Sequence, residues 1–228
     1  MPPNRPARGY IIAVIALAGA IAAAGIPHWN GEPLRFLGYA ALALLSSTLK
    51  VRLPRITGTF SANSVFTLIA VSQFSFAEGI LLSAGCAIVQ CMWRAAKRPK
   101  LVQVLFNAAV FVISSAATFY AYHLFLRWTT ADAWVAAFVA ASCVFFLVNT
   151  FAVSGVIGLI EKTPVVRIWR VWHLWSFPYY LVSVALAAVL MSAGSAVSWK
   201  LALAAVPLIC AAFLCYRLLV QRFSEAGV

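Results

Sequence analysis

Acidic side chains are scarce in this sequence. Its 228 residues include only 5 Asp and Glu against 17 Lys and Arg, and charged residues make up 10% of the chain. Soluble domains carry about 25% charged residues. Here 64% of the residues are hydrophobic and the mean hydropathy is +0.96, which excludes a water-soluble domain and a disordered chain. The sequence therefore predicts a membrane protein with the lipid bilayer as its partner, whose basic excess sets orientation rather than binding nucleic acid.

Residues for catalysis or metal binding are also few. We expect all acidic residues in loops or at span ends, so that no carboxylate pair lies at membrane depth for acid–base work or metal bridging. No HExxH set, phosphate-binding loop or GxSxG motif is present. These absences predict no enzyme, no metal site and no cofactor, and they disfavour a proton or ion pump. The acidic residues are Glu32, Glu78, Asp132, Glu161 and Glu225, and the histidines are His28, His123 and His173.

Cysteine is likewise limited to five residues, none in a CxxC pair. All five fall inside apolar runs, where cysteine usually behaves as a small hydrophobic residue. The sequence therefore predicts no disulfide framework. The cysteines are Cys86, Cys91, Cys143, Cys210 and Cys215.

Long runs without Asp, Glu, Lys or Arg divide the chain into candidate membrane spans, because about 20 apolar helical residues cross a bilayer. The second and fourth runs are short, and the first half of the third is polar. We predict an all-α polytopic membrane helical bundle of about eight spans, or of six if the third and fourth form a re-entrant pair. Residues 1–228 are expected to form one integral membrane domain. The eight runs cover residues 10–26, 36–49, 56–77, 79–93, 105–126, 133–160, 176–195 and 201–216.

The positions of the basic residues predict the orientation. With the N-terminus in the cytoplasm and eight crossings, only Arg35, Arg127 and Lys200 of the 17 basic residues fall on the outer side. Basic residues favour cytoplasmic loops. Both termini are therefore expected in the cytoplasm, and the first span is expected to remain as an anchor rather than to be cleaved as a signal peptide.

Uncharged polar residues recur at helical spacing. On the fifth span they occupy positions 103, 107, 114, 118 and 122, which share one helical face. Similar stripes occur on the fourth span, at positions 83, 86 and 90, and on the seventh, at 173, 176, 180 and 183. We predict that they line a polar cavity between the fourth, fifth, sixth and seventh spans, the alternative being hydrogen bonds between neighbouring helices. The ligand-binding candidates are Gln90, Gln103, Asn107, Asn149, His173, Ser176 and Tyr180.

The segment 164–175 combines Arg167, Arg170 and His173 with tryptophan and aliphatic residues at helical spacing. This pattern predicts a helix at the inner membrane interface. Pro178 kinks the seventh span if that helix already runs through Trp175, because proline removes a backbone donor. If the helix begins at Pro178, there is no kink.

Several strings resemble a known pattern: LPRITGTFS at 53–61, VQCMWR at 89–94, VQVLFN at 102–107 and WSFPYYLV at 175–182. Together they resemble the N-terminal multi-span membrane sensory modules of bacterial signalling proteins. In that family the module precedes an HD-type phosphohydrolase or GGDEF-type diguanylate cyclase domain, and the resemblance covers residues 34–223. It implies a multi-pass protein of the bacterial inner membrane. After Arg222 only six residues remain, so we expect no catalytic output domain here.

Two functions remain open at this stage. The first is a sensory or ligand-binding module that binds a small molecule and signals to a cytoplasmic enzyme. The second is a small-molecule carrier similar to the substrate-binding subunits of vitamin uptake systems. A structural subunit of a membrane complex is a further alternative. The resemblance favours the sensor, although fold-level analogy is a weak guide to function.

Overall fold

The computed structural model describes residues 4–28, 33–52, 59–61, 63–95 and 98–192. The predicted eighth span, with Cys210 and Cys215, lies outside the described residues. The long elements are helices α1 (Arg5–Gly25), α2 (Pro33–Ser46), α3 (Asn63–Gln73), α4 (Phe76–Met92), α5 (Leu101–Trp128), α6 (Trp134–Glu161) and α8 (Phe177–Ser192). The short ones are helix α7 (Val165–Ile168), a π-helical turn (Trp169–His173), 3-10 turns at Ile26–His28, Ala131–Ala133 and Leu174–Ser176, and an antiparallel pair of three-residue strands, β1 (Lys50–Arg52) and β2 (Thr59–Ser61).

Within the described residues, three helices are long and apolar enough to cross a membrane: α1 with 21 residues, and α5 and α6 with 28 residues each. A fourth span results if the segment Val165–His173 and α8, which meet at a bend of 59°, are counted as one. Helices α2 and α4, with 14 and 17 residues, are shorter, and α3 has only 11. The described chain is thus an all-helical bundle of membrane type with three or four candidate spans. The predicted count of about eight spans, or six, stays a prediction.

The helix boundaries follow from local sequence. The Asn4 side chain accepts a hydrogen bond from the Ala7 amide and caps α1. At the start of α4, Ser75 and Glu78 form a capping box, in which each side chain bonds the other residue's backbone amide. Helix α6 ends because Lys162 adopts a left-handed conformation with φ of 55°, which lets the Thr163 amide bond the Gly158 carbonyl.

Helix α3 occupies the interior although it is too short to span. The side chains of Val65, Phe66, Leu68, Ile69 and Val71 are each exposed by 3% or less. They pack against α2, α4, α6 and α8 in the largest apolar cluster. A helix that is apolar all round is expected to be buried on all sides. Helix α3 is therefore a core element of the bundle, which explains why its polar N-terminal residues need not meet lipid.

Two contacts define the two ends of the bundle. The Asn4 amide group donates to the Leu159 carbonyl at 2.6 Å, so the start of α1 lies beside the end of α6. At the opposite end, Gly25, the last residue of α1, lies against the Phe76 ring at the start of α4.

Charge is divided unequally between these ends. The end holding the start of α1 is called the basic end, and among described residues it carries one acid, Glu161. The far end carries Arg35, Arg127 and Asp132. The exposed basic side chains of the basic end are Arg5, Arg8, Arg94, Arg98, Lys100, Lys162, Arg167 and Arg170.

Candidate functional site

A set of hydroxyl and amide side chains meets where α3, α6 and α8 pack together. We call this set the tyrosine–serine cluster; it comprises Ser64 of α3, Ser142 and Asn149 of α6, and Tyr179, Tyr180 and Ser183 of α8. All but Asn149, which is half-buried, are buried in the protein.

The α3 side of the cluster is tightly bonded. The Ser64 hydroxyl donates to the Tyr179 phenol oxygen at 3.0 Å and lies 2.6 Å from the Ser183 hydroxyl. Ser183 also donates to the Tyr179 carbonyl one turn earlier in α8, at 3.0 Å. The first turn of α3 therefore anchors the first two turns of α8.

The α6 side is looser. The Asn149 amide donates to the Tyr180 phenol oxygen at 3.4 Å, and the Ser142 hydroxyl reaches the Tyr180 carbonyl at 3.4 Å. Aromatic rings enclose this side, since the Tyr180 ring lies 6.2 Å from Phe145 and 5.2 Å from Phe146 between centroids. These longer polar contacts are the ones that a ligand can replace at least cost.

A small cavity adjoins the cluster. Its volume of about 10 Å³ is close to the minimum that a single water molecule requires. No lining residue is charged, so the arrangement suits an uncharged ligand that exchanges hydrogen bonds with hydroxyl groups and packs against aromatic rings. The lining residues are Ser64, Thr67, Leu68, Ser142, Phe145 and Tyr180.

A second polar group surrounds the π-helical turn just before α8. His173 is buried, and its Nδ1 lies 3.1 Å from the Ser154 hydroxyl of α6. The Ser176 hydroxyl donates to the His173 carbonyl at 2.7 Å, and the Trp169 indole donates to the Thr150 hydroxyl at 2.9 Å. These contacts fix the turn to α6. A π-turn is often found at functional sites.

The predicted kink at Pro178 has a structural counterpart. The chain is helical on both sides of Leu174–Ser176, and the two helical parts meet at 59°. Pro178 lies in the first turn of α8 and offers no amide hydrogen to the Leu174 carbonyl, which favours the tighter 3-10 turn at this point. The tyrosine–serine cluster thus begins immediately after a bend.

The sequence-predicted candidates divide into two groups. Asn149 and Tyr180 contact each other, and His173 and Ser176 are buried beside them. Gln90 lies 3.4 Å from Asn63, the residue before Ser64.

Gln103 and Asn107 lie elsewhere, at the start of α5. The exposed Gln103 side chain accepts from the Lys100 amide and caps the helix. The Asn107 amide donates to the Gln103 carbonyl of its own helix at 2.9 Å. The predicted stripe on α5 turns inward only from Ser114 onward, where Ser114, Thr118 and Tyr122 are buried. The N-terminal turns of α5 reach the basic end, where polar side chains need no interior partner.

Four residues of the cluster were not among the predicted ligand-binding residues: Ser64, Ser142, Tyr179 and Ser183, the last of which belonged only to the predicted polar stripe. Ser64 stood in the polar half of the predicted third span, where it counted against lipid exposure. The signal that could have revealed it was its spacing from Thr67, which puts both hydroxyls on one helical face.

Glu78 lies at a helix end, in the first turn of α4, as the sequence predicted. Its side chain is only 1% exposed and packs inside the bundle, which the sequence did not indicate. No group of three or more His, Cys, Asp or Glu side chains comes together in the described ranges. Among the described cysteines, Cys86 is buried, and Cys91 and Cys143 are half-buried.

Comparison with known proteins adds no family to this picture. No protein-family model, no curated protein and no solved structure matches the chain. The resemblance to bacterial sensory modules therefore stays a prediction from the sequence.

Proposed function

We propose that this chain is an integral membrane sensory module that binds a small uncharged molecule at the tyrosine–serine cluster. Binding changes how α8 packs against α3 and α6, and the bend before α8 transmits this change to the basic end. A cytoplasmic signalling enzyme reads the change there. The chain itself catalyses no reaction.

The observation that carries this proposal is the position of the cluster directly beside the 59° bend. A ligand can shift an equilibrium only if it binds two arrangements with different affinity. The contacts of Tyr180 with Asn149 and Ser142 are long, at 3.4 Å, whereas those of Ser64 are shorter. A ligand that replaces the long contacts moves α8 relative to α6 while α3 stays attached.

The charge asymmetry supports the proposed orientation. Eight exposed basic side chains occupy the basic end of the described bundle, against two at the far end. Because basic residues favour the cytoplasmic side, the basic end faces the cytoplasm of the bacterial inner membrane. In the full proposal the chain makes about eight crossings, or six, and both termini are cytoplasmic.

The alternative of a small-molecule carrier has less support. A carrier needs a compartment that encloses its cargo, since ligand pockets usually measure several hundred Å³, whereas the cavity beside the cluster measures about 10 Å³. A sensor whose ligand opens the site needs no such volume in the closed state.

Native mass spectrometry of the protein gently extracted from bacterial membranes tests this function. We expect the wild type to carry a small-molecule adduct and Asn149→Ala to lose it. Asn107→Ala is the matched control, because Asn107 bonds its own helix away from the cluster. A wild-type protein without an adduct would contradict ligand binding at the cluster. So would the same amount of adduct in Asn149→Ala and Asn107→Ala.

A further inference from the structure

The segment that joins α6 to α8 exposes arginine and aliphatic side chains on the same side. It is helical from Val165 to Leu174, through α7, the π-helical turn and the start of the 3-10 turn, so residues three or four positions apart share a face. Two of its valines are each 55% exposed, and its leucine is 47% exposed. We call this mixed surface the arginine–valine face; it comprises the exposed residues Val166, Arg167, Arg170, Val171 and Leu174.

The opposite side of the segment is fixed to α6. Ile168 and His173 are buried there. The His173 Nδ1 atom lies 3.1 Å from the Ser154 hydroxyl, and the Trp169 indole donates to the Thr150 hydroxyl at 2.9 Å. Because these contacts hold the segment against α6, the arginine–valine face points away from the bundle.

The length of α6 places this face at the level of the lipid headgroups. Helix α6 has 28 residues and is therefore about 42 Å long at about 1.5 Å per residue. A bilayer measures about 40 to 45 Å when its headgroup regions are included, so a helix of this length ends within them. Only residues 162–164 separate the end of α6 from α7. The face thus lies where phosphate groups and the upper parts of acyl chains meet.

The charge around the face is almost entirely positive. Lys162 lies just before it, and Glu161 is the one acid that the described residues place at the basic end. The side chains of Arg167 and Arg170 form no hydrogen bond or ion pair within the described part of the chain. Both guanidinium groups are therefore available to an anion outside the protein.

A negatively charged phospholipid matches both components of the face. Guanidinium groups bind phosphate oxygens through paired N–H donors, and basic residues beside a membrane helix attract anionic lipids. Exposed aliphatic side chains at an interface pack against the boundary between headgroups and acyl chains. An acidic protein surface would supply carboxylates for the arginines but no apolar partner for the valines at this depth.

We propose that the arginine–valine face is a binding site for an anionic phospholipid. Arg167 and Arg170 bind its phosphate group, and the upper part of an acyl chain lies against Val166, Val171 and Leu174. The site requires only that the chain is inserted in a membrane. It is separate from the tyrosine–serine cluster, so either site can be lost while the other remains.

Native mass spectrometry of the full chain in mild detergent tests the proposal, with phosphatidylglycerol and phosphatidylcholine added at equal concentrations. We expect the wild type to retain phosphatidylglycerol in preference to phosphatidylcholine. Arg167→Gln combined with Arg170→Gln should reduce this preference about 25-fold, since each basic residue near an anionic lipid contributes about fivefold in affinity. A wild type without the preference would overturn the proposal and point to an acidic protein partner instead.

A matched control separates a site from general attraction to the basic end. Arg98→Gln combined with Lys100→Gln removes the same charge from that end, between α4 and α5, where both residues are exposed. This variant should keep the preference for phosphatidylglycerol. An equal loss in the two double variants would overturn the proposal.

A third double variant tests the apolar half of the site. Val166→Ser combined with Val171→Ser retains both arginines and replaces only exposed side chains. It should retain less phosphatidylglycerol than the wild type, because the acyl chain loses its packing surface. Unchanged retention would show that phosphate binding alone suffices and would overturn the assignment to a phospholipid.

Discussion

The hydroxyl oxygens of Ser64 and Ser183 lie 2.6 Å apart in the interior, although 119 residues separate them in the chain. Ser64 opens α3 and Ser183 lies in the second turn of α8, so this contact joins the short core helix to the helix that follows the bend. Both side chains are 7% exposed or less. The pair is therefore a direct physical link between the centre of the bundle and the proposed moving element.

Replacing Ser64 with Ala should lower the free energy of unfolding. It removes the donor to Tyr179 and the partner of Ser183, and buried side-chain hydrogen bonds between membrane helices contribute about 0.6 to 2 kcal/mol. Reversible unfolding in mixed micelles measures the loss. Ser72→Ala is the control, since Ser72 bonds only the Ile69 carbonyl of its own helix among the described contacts. Equal losses in the two variants would argue against a role of Ser64 between helices.

Gly158→Ala should weaken the junction between α6 and α7. A Cβ atom at this position would lie 2.8 Å from the Thr163 carbonyl oxygen and 3.3 Å from the Val165 side chain, so backbone has to move, at a cost of about 1 to 3 kcal/mol. Gly19→Ala provides the opposite control, because nothing lies within 4 Å of its added Cβ and alanine favours a helix by about 0.5 to 1 kcal/mol. In thermal unfolding, the midpoint temperature of Gly158→Ala should lie below that of the wild type and that of Gly19→Ala above it.

The orientation is open to a labelling test. Thr129, which directly follows α5, and Lys162, which directly follows α6, are both exposed. They lie at opposite ends of the bundle, so each can be replaced by Cys in a variant without other cysteines. With the basic end in the cytoplasm, an impermeant maleimide should label Thr129→Cys in intact cells whose outer membrane has been opened. It should reach Lys162→Cys only after the inner membrane is disrupted. The reverse pattern would invert the orientation.

Pro178→Ala should alter signalling without preventing insertion. The new amide can bond the Leu174 carbonyl and relax the bend, while Pro178 itself is exposed and its loss opens no cavity. The readout is the activity of a diguanylate cyclase fused after residue 228, in variants shown to insert equally well. Unchanged activity would contradict a role of the bend at Pro178 in signalling.

The long helices could be predicted from the sequence because their apolar runs are uninterrupted. The run at 105–126 became α5, which is longer by a few residues, and the run at 133–160 became α6, displaced by one residue. The role of helix α3 could not be predicted, because hydropathy does not distinguish a side chain that faces lipid from one that, like Phe66, packs in the core. Its 11 residues end where the Ser75–Glu78 capping box begins a new helix.

The candidate site was predictable only in part. Helical spacing identified which residues share a face, and the stripe from His173 to Ser183 is buried. Spacing does not identify the partner of a face, which explains why Asn107 and Asn149 were grouped although they bond different helices. The burial of Glu78 depends on how α4 packs against α2 and α3, a relation between distant segments that no local pattern contains.

Pulsed electron paramagnetic resonance gives the most direct test of the claim that the tyrosine–serine cluster holds α8 in its bent position. Spin labels at Val166 and Val189, both 55% exposed, report the distance across the bend. The account predicts that Ser64→Ala combined with Asn149→Ala shifts or broadens this distance distribution, while Ser72→Ala leaves it as in the wild type. The same distribution in all three proteins would contradict it.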